Sequence, residues 1–355
     1  MTASAAEDTI PVREGEAPEP GRLAGYLRER IPGLPAGEVE VRQFPAGASN
    51  LTYLLRVGGW EGVLRRPPLG PVAARAHDVL REAAILERLH PAFPLAPAPY
   101  AVCDDPAVLG APFFVMERRR GVVLDQRLPS TLAAVPEVGR RVAEGMVDTL
   151  AALHAVDYRA AGLAEIGRPD GFLRRQTSGW IGRYEAARTE DVPEVEPLAR
   201  WLEARVPESP PPTLIHNDYK LNNLLLDPAD PGRVTAVLDW EMSTLGDPLL
   251  DLAVALGYWI EAGDPPPLRG LLPTVTTGPG FPTRAELVRR YAERSGRDVG
   301  ALGWYLVFAY FKLAVIVQQI HARWARGQTR DPRFALLGER ARTLILHAHG
   351  LAGAA

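Results

Sequence analysis

Residues Ile215–Asp227 read IHNDYKLNNLLLD, and the order of apolar and polar residues around this stretch decides the fold. Thr213 to Ile215 is a short apolar run, a polar loop follows, and Leu224 to Leu226 is apolar again. Asp227, Pro228, Asp230, Pro231 and Gly232 then supply a turn, because proline presets φ and glycine and Asx residues accept turn geometry. Val234 to Asp239 (VTAVLD) is a β-branched apolar run that ends on a carboxylate. The predicted order is strand, loop, strand, turn, strand. Residue scarcity sharpens this. The chain has four asparagines, Asn50, Asn217, Asn222 and Asn223, and three lie in this one loop. It has two lysines, Lys220 and Lys312, against a large arginine excess, and one of them is in the same loop.

The residue types point to phosphoryl transfer. A phosphoryl group in flight carries charge on its equatorial oxygens, so a protein contributes positioning and electrostatic stabilisation more than covalent chemistry. That chemistry requires a carboxylate near the acceptor hydroxyl, a cation on the γ-phosphate, and oxygen ligands for Mg²⁺. Asp218 is the candidate base or orienting group and Lys220 the candidate cation. Asn223 and Asp239 are the candidate metal ligands, Asp239 standing at the end of a following strand. The alternative is a β-hairpin whose His216 and Asp218 only satisfy turn backbone groups, as Asx side chains do; it leaves the strand ending in Asp239 unexplained.

With those residues in view, the chain resembles the aminoglycoside phosphotransferase superfamily, the small-molecule branch of the protein-kinase-like fold. The resemblance covers nearly the whole length. Within that superfamily VLRRPP (63–68), HNDYKLNN (216–223) and LDWEMSTLGDPLLDLA (238–253) are most similar to phosphotransferase modules associated with certain acyl-CoA dehydrogenases. The implied fold is α+β and two-lobed, with a small, mainly β N-lobe carrying one main helix and a larger, mainly α C-lobe. Residues 1–20 are expected to be a disordered tail, 21–116 the N-lobe, 117–121 a hinge and 122–355 the C-lobe. ATP and Mg²⁺ are the implied cofactors, bound between the lobes.

Upstream segments take their roles from the same resemblance. Phe44 to Arg56 (FPAGASNLTYLLR) has a small polar loop at Gly47, Ser49 and Asn50 before a strand-like run, which suits a phosphate-covering hairpin; it lacks GxGxxG, and an ordinary β-turn is the alternative. Gly62 to Pro68 (GVLRRPP) is a strand stopped by two prolines. Arg65 occupies the position of the strand cation that reaches the α/β-phosphates, where many family members carry lysine, and the two cations are not interchangeable. Ala76 to His90 has apolar residues at helical spacing, and Glu82 matches the partner of the strand cation; the alternative places Glu82 on the solvated face. Ala111 to Gly121 (APFFVMERRRG) runs from an apolar strand into charge, and the resemblance sets adenine against Glu117 to Arg119. Asp251 matches an aspartate that braces the catalytic loop through backbone hydrogen bonds.

The acceptor leaves fewer marks. Between Asp239 and Asp251 there is no room for a long activation segment, which favours a small molecule over a peptide. Arg175, Trp180 and Tyr184 lie in an arginine- and aromatic-rich segment (172–188), and Lys312 interrupts an apolar helix at 304–323. An unpaired buried cation is costly, so Lys312 is expected either to meet an anionic substrate group, or to snorkel or pair internally. A hydroxy acid or its CoA thioester is the first acceptor expected, an aminoglycoside or other antibiotic the second. A catalytically inactive nucleotide-binding regulator is the reading from another class.

Composition agrees. The 355 residues are 46% hydrophobic and 23% charged with a net charge of −3, enough for a core and without a nucleic-acid footprint. The single Cys103 excludes an intramolecular disulfide framework, and no signal-peptide core or long uncharged apolar span is evident. The expectation is a cytoplasmic enzyme with a small-molecule substrate and neither nucleic-acid nor membrane partners; the sequence carries no signal of oligomeric state. Residues 263–282 are expected to be a proline- and glycine-rich loop.

Overall fold

The computed structural model describes residues 8–45, 50–68, 78–272, 274–329 and 331–354. The chain forms two compact units, residues 1–120 with 235–241, and residues 121–234 with 242–355.

The first unit is built on an antiparallel sheet of strands β1 (Glu40–Gln43), β2 (Leu51–Val57), β3 (Trp60–Arg66), β4 (Pro99–Cys103) and β5 (Phe113–Glu117), in the order β1-β2-β3-β5-β4. Its helices are α1 (Pro20–Arg30), α2 (Val79–Leu89) and the short α3 (Pro106–Leu109). Alternation along the strands sends Tyr53, Leu55, Leu64, Phe113 and Val115 into a core shared with Leu23 and Leu27 of α1. Each fully buried aliphatic or phenyl group there contributes roughly 1.5–3 kcal/mol. In β3 the register places Arg65 opposite Thr52 on one side and Phe114 on the other. Pro67 and Pro68 follow and end the strand.

Two differences from the sequence expectation appear here. Polar composition predicts a disordered tail over residues 1–20, yet in residues 8–19 Ile10 and Gln43 exchange backbone hydrogen bonds of 2.8 and 2.9 Å. The Glu16 carbonyl accepts from Tyr53 Oη at 2.6 Å. The physical reason is the outer edge of β1, a row of otherwise unpaired backbone groups that this polar segment satisfies. The second difference is α1, a helix beyond the one expected. Glu19 caps it by accepting from the N–H groups of Gly21 and Arg22, and Pro20 suits the first helical position. Gly47 and Ser49 lie outside the described residues.

Helix α2 follows the predicted spacing and starts at Asp78, whose side chain accepts from Arg81 N–H at 3.0 Å. Glu82 lies one turn from Val79 and Leu86, so the 3.6-residue period puts it on the buried stripe, where it is 1% exposed.

The second unit is mainly helical: α4 (Ser130–Ala133), α5 (Val138–His154), α6 (Phe172–Ala187), α7 (Val195–Ala204), α8 (Pro248–Tyr258), α9 (Pro266–Leu271), α10 (Arg284–Ser295), α11 (Leu302–Ala325) and α12 (Leu337–Ala354). Four short strands complete the set among the described residues, β6 (Thr213–Ile215), β7 (Leu224–Leu226), β8 (Val234–Val237), which continues into the first unit, and β9 (Thr244–Gly246). The expected loop at 263–282 contains α9 and a 3-10 turn, Val275–Thr277. Helix α11 is long and apolar enough to cross a membrane, but 67% of its apolar window is buried inside the protein, where it packs on α6, α8 and α12. It is the central helix of this unit.

Candidate active site

In the second unit β6 pairs antiparallel with β9, Ile215 opposite Thr244 and Thr213 opposite Gly246. Gly246 sits at a close approach of side chains. A Cβ there would stand 2.6 Å from Ile215 Cδ1 and 2.7 Å from the Phe172 ring, so those side chains would have to shift. Beyond β6 the chain turns sharply. Asn217 has φ +66°, the left-handed region that costs most L residues about 1–2 kcal/mol and that Asn visits more readily than most.

Asp251, in the first turn of α8, holds that turn from below. It is fully buried and accepts the backbone N–H of His216 and of Asn217, each at 2.6 Å. Its Oδ2 also lies 3.2 Å from His154 Nε2, and His154 Nδ1 lies 2.7 Å from Tyr291 Oη. Burial works to raise the Asp251 pKa, but the His154 hydrogen bond and the backbone donors outweigh it and hold the carboxyl below its ordinary value.

The turn presents Asp218, Lys220 and Asn223 together. Lys220 Nζ is 2.8 Å from Asp218 Oδ2 and 3.0 Å from Oδ1. Asn223, in the 3-10 turn Leu221–Asn223, donates its amide to the Asp218 carbonyl at 2.8 Å and to Asp218 Oδ2 at 3.1 Å. Lys220 Nζ also sits 4.9 Å from the centre of the Tyr258 ring. Burial pushes the Tyr258 hydroxyl up to about 12, with Lys220 pulling the other way, so it stays a phenol at neutral pH. Tyr258 was not anticipated; its only signal is that it ends the apolar run that begins at Asp251.

A cavity of about 390 Å³ opens at this loop, lined in part by Lys220, Leu221 and Asn222. Leu124, Met146 and Leu271 form apolar wall, while Asp125 and Arg340 add one charge of each sign. The space draws on residues of α5, α8, α9 and α12. None of the four expected acceptor residues lines it.

Their actual surroundings explain why. Arg175 donates to the backbone carbonyls of Asp170 and Arg168. Tyr184 is buried with its ring 6.3 Å from that of Phe311. Trp180 donates to Gln176 Oε1 at 3.1 Å, and its ring faces Arg183 at 4.6 Å and Lys312 at 5.7 Å. Lys312 is buried, and its ammonium donates to the Asn217 carbonyl at 3.0 Å and to Asn217 Oδ1 at 2.6 Å. The internal partner that its apolar helix demands is thus Asn217, through both its backbone carbonyl and its side-chain oxygen, and not an acidic side chain.

The first unit carries the second residue set. Arg65 is buried among three carboxylates: Nε lies 3.1 Å from Glu82 Oε2, while Nη2 lies 2.5 Å from Asp239 Oδ1 and 3.3 Å from Glu241 Oε2. Burial disfavours its charge, but these carboxylates hold the guanidinium pKa above its ordinary value. Burial, with Asp239 and Glu241 adding to it, pushes Glu82 up to about 7 despite Arg65. Glu82 Oε1 further accepts the Trp240 N–H at 3.2 Å. Asp239 takes a left-handed φ of +69°. Asn50 donates to Glu241 Oε2 at 2.7 Å, and Arg81 donates to the Glu241 carbonyl at 3.1 Å. Glu241 was not singled out from the sequence, although its place two residues after Asp239 was the available signal.

Glu117 and Arg119 lie at the end of β5 and just beyond. The Glu117 N–H donates to the Ala98 carbonyl at 2.8 Å, its side chain is 2.8 Å from Arg119 Nε, and Arg119 donates to the Pro94 carbonyl at 2.7 Å.

Comparison with known proteins finds relatives along most of the chain. The profile of the phosphotransferase enzyme family matches residues 40–287. Acyl-CoA dehydrogenase family member 11 of Gallus gallus is 36% identical over 337 residues, 90% of this chain and 41% of that protein. The chain spans only 30% to 42% of the length of the curated relatives that it matches. A solved structure from Ralstonia eutropha JMP134, named by resemblance as an aminoglycoside phosphotransferase, is similar with TM-score 0.80 and 32% identity, over 94% of this chain and 98% of that one. The aminoglycoside phosphotransferase APH(4)-Ia, solved with AMP-PNP and hygromycin B, shares the fold at TM-score 0.57 and 19% identity, over 91% and 97% of the two chains.

Proposed function

Since the chain belongs to the phosphotransferase enzyme family, we propose that it is an ATP- and Mg²⁺-dependent kinase that phosphorylates a hydroxyl of a small organic molecule. The observation that carries this reading is the Asp218 carboxylate, held by Lys220 and Asn223 in one braced loop. Asp218 takes or orients the acceptor proton, the acceptor oxygen bonds to the γ-phosphorus, and the bond to the β-bridging oxygen breaks to release ADP. Lys220 steadies the γ-phosphate. Arg65, set by Glu82, positions the nucleotide phosphates, and Asn50 belongs to the same network through Glu241. The backbone of residues 117–119 is the adenine contact in this reading.

In this reading Mg²⁺, a hard cation, takes oxygen ligands. Asp239 and Glu241 supply carboxylates, and Asn223, its amide N–H groups engaged by Asp218, offers its amide oxygen. Bound there, the ion would neutralise charge on the phosphates.

The cavity beside Lys220 is the acceptor site in this reading. Its apolar wall suits an acyl chain, and Lys220 and Arg340 suit an anionic end, which favours a hydroxy acid or hydroxyacyl-CoA over a polycationic aminoglycoside. Release of ADP, followed with panels of hydroxy acids, their CoA thioesters and aminoglycosides, tests the assignment. Turnover with the acids or thioesters supports it, whereas turnover confined to aminoglycosides overturns the acceptor class. One observation favours a non-catalytic nucleotide-binding regulator instead, the engagement of Arg65 by three carboxylates; ATP binding without turnover on any panel is its signature.

A further inference from the structure

We propose that Lys312 is a positioning residue: acting through Asn217, it fixes the backbone turn from which Asp218 is presented. The inference rests on the kinase reading above and adds to it a group that touches neither substrate nor nucleotide.

The geometry is complete at Asn217. Its N–H donates to Asp251 Oδ1 at 2.6 Å and its side-chain amide donates to the Met242 carbonyl at 3.3 Å. Its backbone carbonyl and its Oδ1 both accept from Lys312 Nζ. Every polar group of the residue preceding Asp218 is therefore bonded, and it is held at a φ of +66° that a non-glycine residue keeps only when its surroundings impose it. Two oxygens on one residue need a donor that can serve both, and an ammonium with three N–H groups can do so. Burying that ammonium in α11, between the Trp180 ring and the loop, is unfavourable in itself. A role confined to packing would be met better by Leu or Met.

The charges that act most strongly on Lys312 are Asp218 and Lys220 on the loop, Asp251 on α8 and Arg183 on α6. Burial brings the lysine down to about 8 although the two aspartates oppose it. The brace is thus charged at neutral pH and weakens in mild alkali.

The test compares Lys312→Met and Lys312→Gln with wild type, each also in an Asn217→Gly background, with circular dichroism and thermal melting as controls for folding. A misplacement of the order of 1 Å costs about 100-fold in rate, so the expected result is a fall in kcat of about 10- to 100-fold with KM values for ATP and acceptor within about twofold. The loss is smaller in the Asn217→Gly background, because glycine adopts a left-handed φ without help. The Lys312→Gln variant also loses any alkaline limb of kcat near pH 8. If Lys312→Met does not fold, Lys312→Gln is read by the same criteria, since it keeps a polar but uncharged donor group. Unchanged kcat, a raised acceptor KM with kcat intact, or equal losses in both backgrounds overturns the proposal. Independently of activity, hydrogen exchange in residues 214–223 is faster in Lys312→Gln, and unchanged exchange also overturns it. Wild type that shows no Asp218-dependent transfer removes the kinase reading instead, while the exchange result still decides the brace.

Discussion

Arg65 Nε lies 3.1 Å from Glu82 Oε2, with the two side chains 10% and 1% exposed. A strand cation and a helix anion thus form a buried pair, and Asp239 and Glu241 share the same guanidinium. Removing one partner of such a group leaves charge buried without compensation, which typically costs about 3–5 kcal/mol. Arg65→Met is therefore expected to lower the unfolding free energy measured in urea melts by an amount in that range, and a loss below about 1 kcal/mol would place the cluster among surface-type ion pairs.

The same pair makes stability depend on pH. Glu82 is pushed up to about 7 in the folded protein from an ordinary value of 4.5, so the folded state holds its proton more tightly than the unfolded one. Its contribution is fully present below about pH 4.5 and is lost as pH rises through about 7, with a slope of at most about 1.4 kcal/mol per pH unit. In urea melts between pH 5 and 7.5, wild type should lose stability relative to Glu82→Gln. Parallel profiles would show that Glu82 does not titrate there.

Asp251 accepts two loop N–H groups and faces His154. Asp251→Asn turns one acceptor oxygen into a donor directed at a donor, which costs about 1–3 kcal/mol. Expected are a lower melting temperature and a kcat reduced about tenfold, with little change in KM for ATP; unchanged kcat would detach the brace from catalysis.

Asp239 and Glu241 differ in their proposed duties. Asp239→Asn removes a metal ligand, while Glu241→Gln also weakens the group that Arg65 and Asn50 hold. Each change is expected to raise the Mg²⁺ concentration for half-maximal rate by about 10- to 100-fold, measured by titrating the metal at saturating ATP. A Mg²⁺ requirement that does not move in Asp239→Asn would rule that residue out as a ligand.

The cavity admits a direct test through volume. Ala255→Phe places a ring in a space of about 390 Å³ and should raise the acceptor KM at least tenfold, a loss of about 1.4 kcal/mol, while leaving nucleotide affinity unchanged. Equal effects on both KM values would mean that the substitution disturbs the whole unit.

Much of this architecture is legible in the residue order, because short-range rules act there. Turn residues at 227–232, the apolar period of α2 and the prolines after Arg66 predict elements whose type is set within a few residues. The proposed catalytic loop is legible for another reason, since rare Asn and Lys residues collect in it. What escaped depends on contacts distant in sequence. The segment at 8–19 becomes ordered only because an edge strand offers it backbone partners, and Lys312 is drawn to an oxygen pair 95 residues away. The surroundings of the expected acceptor residues were hidden in the same way. Arginine and aromatic residues at 172–188 stood out in composition, yet Tyr184 is core and Arg175 is tied to its own backbone surroundings. The residues that do line the cavity, such as Leu271 and Arg340, carry no local signal.

The proposed chemistry meets its most direct test in phosphorus NMR of protein mixed with ATP, Mg²⁺ and a hydroxy acid or its CoA thioester, for wild type and Asp218→Ala side by side. Expected is a phosphate monoester signal that grows with wild type and falls by about 10²- to 10⁴-fold in the variant, as for loss of a general base, while ATP still binds to both. Equal growth of that signal in the two proteins would contradict a transfer centred on Asp218.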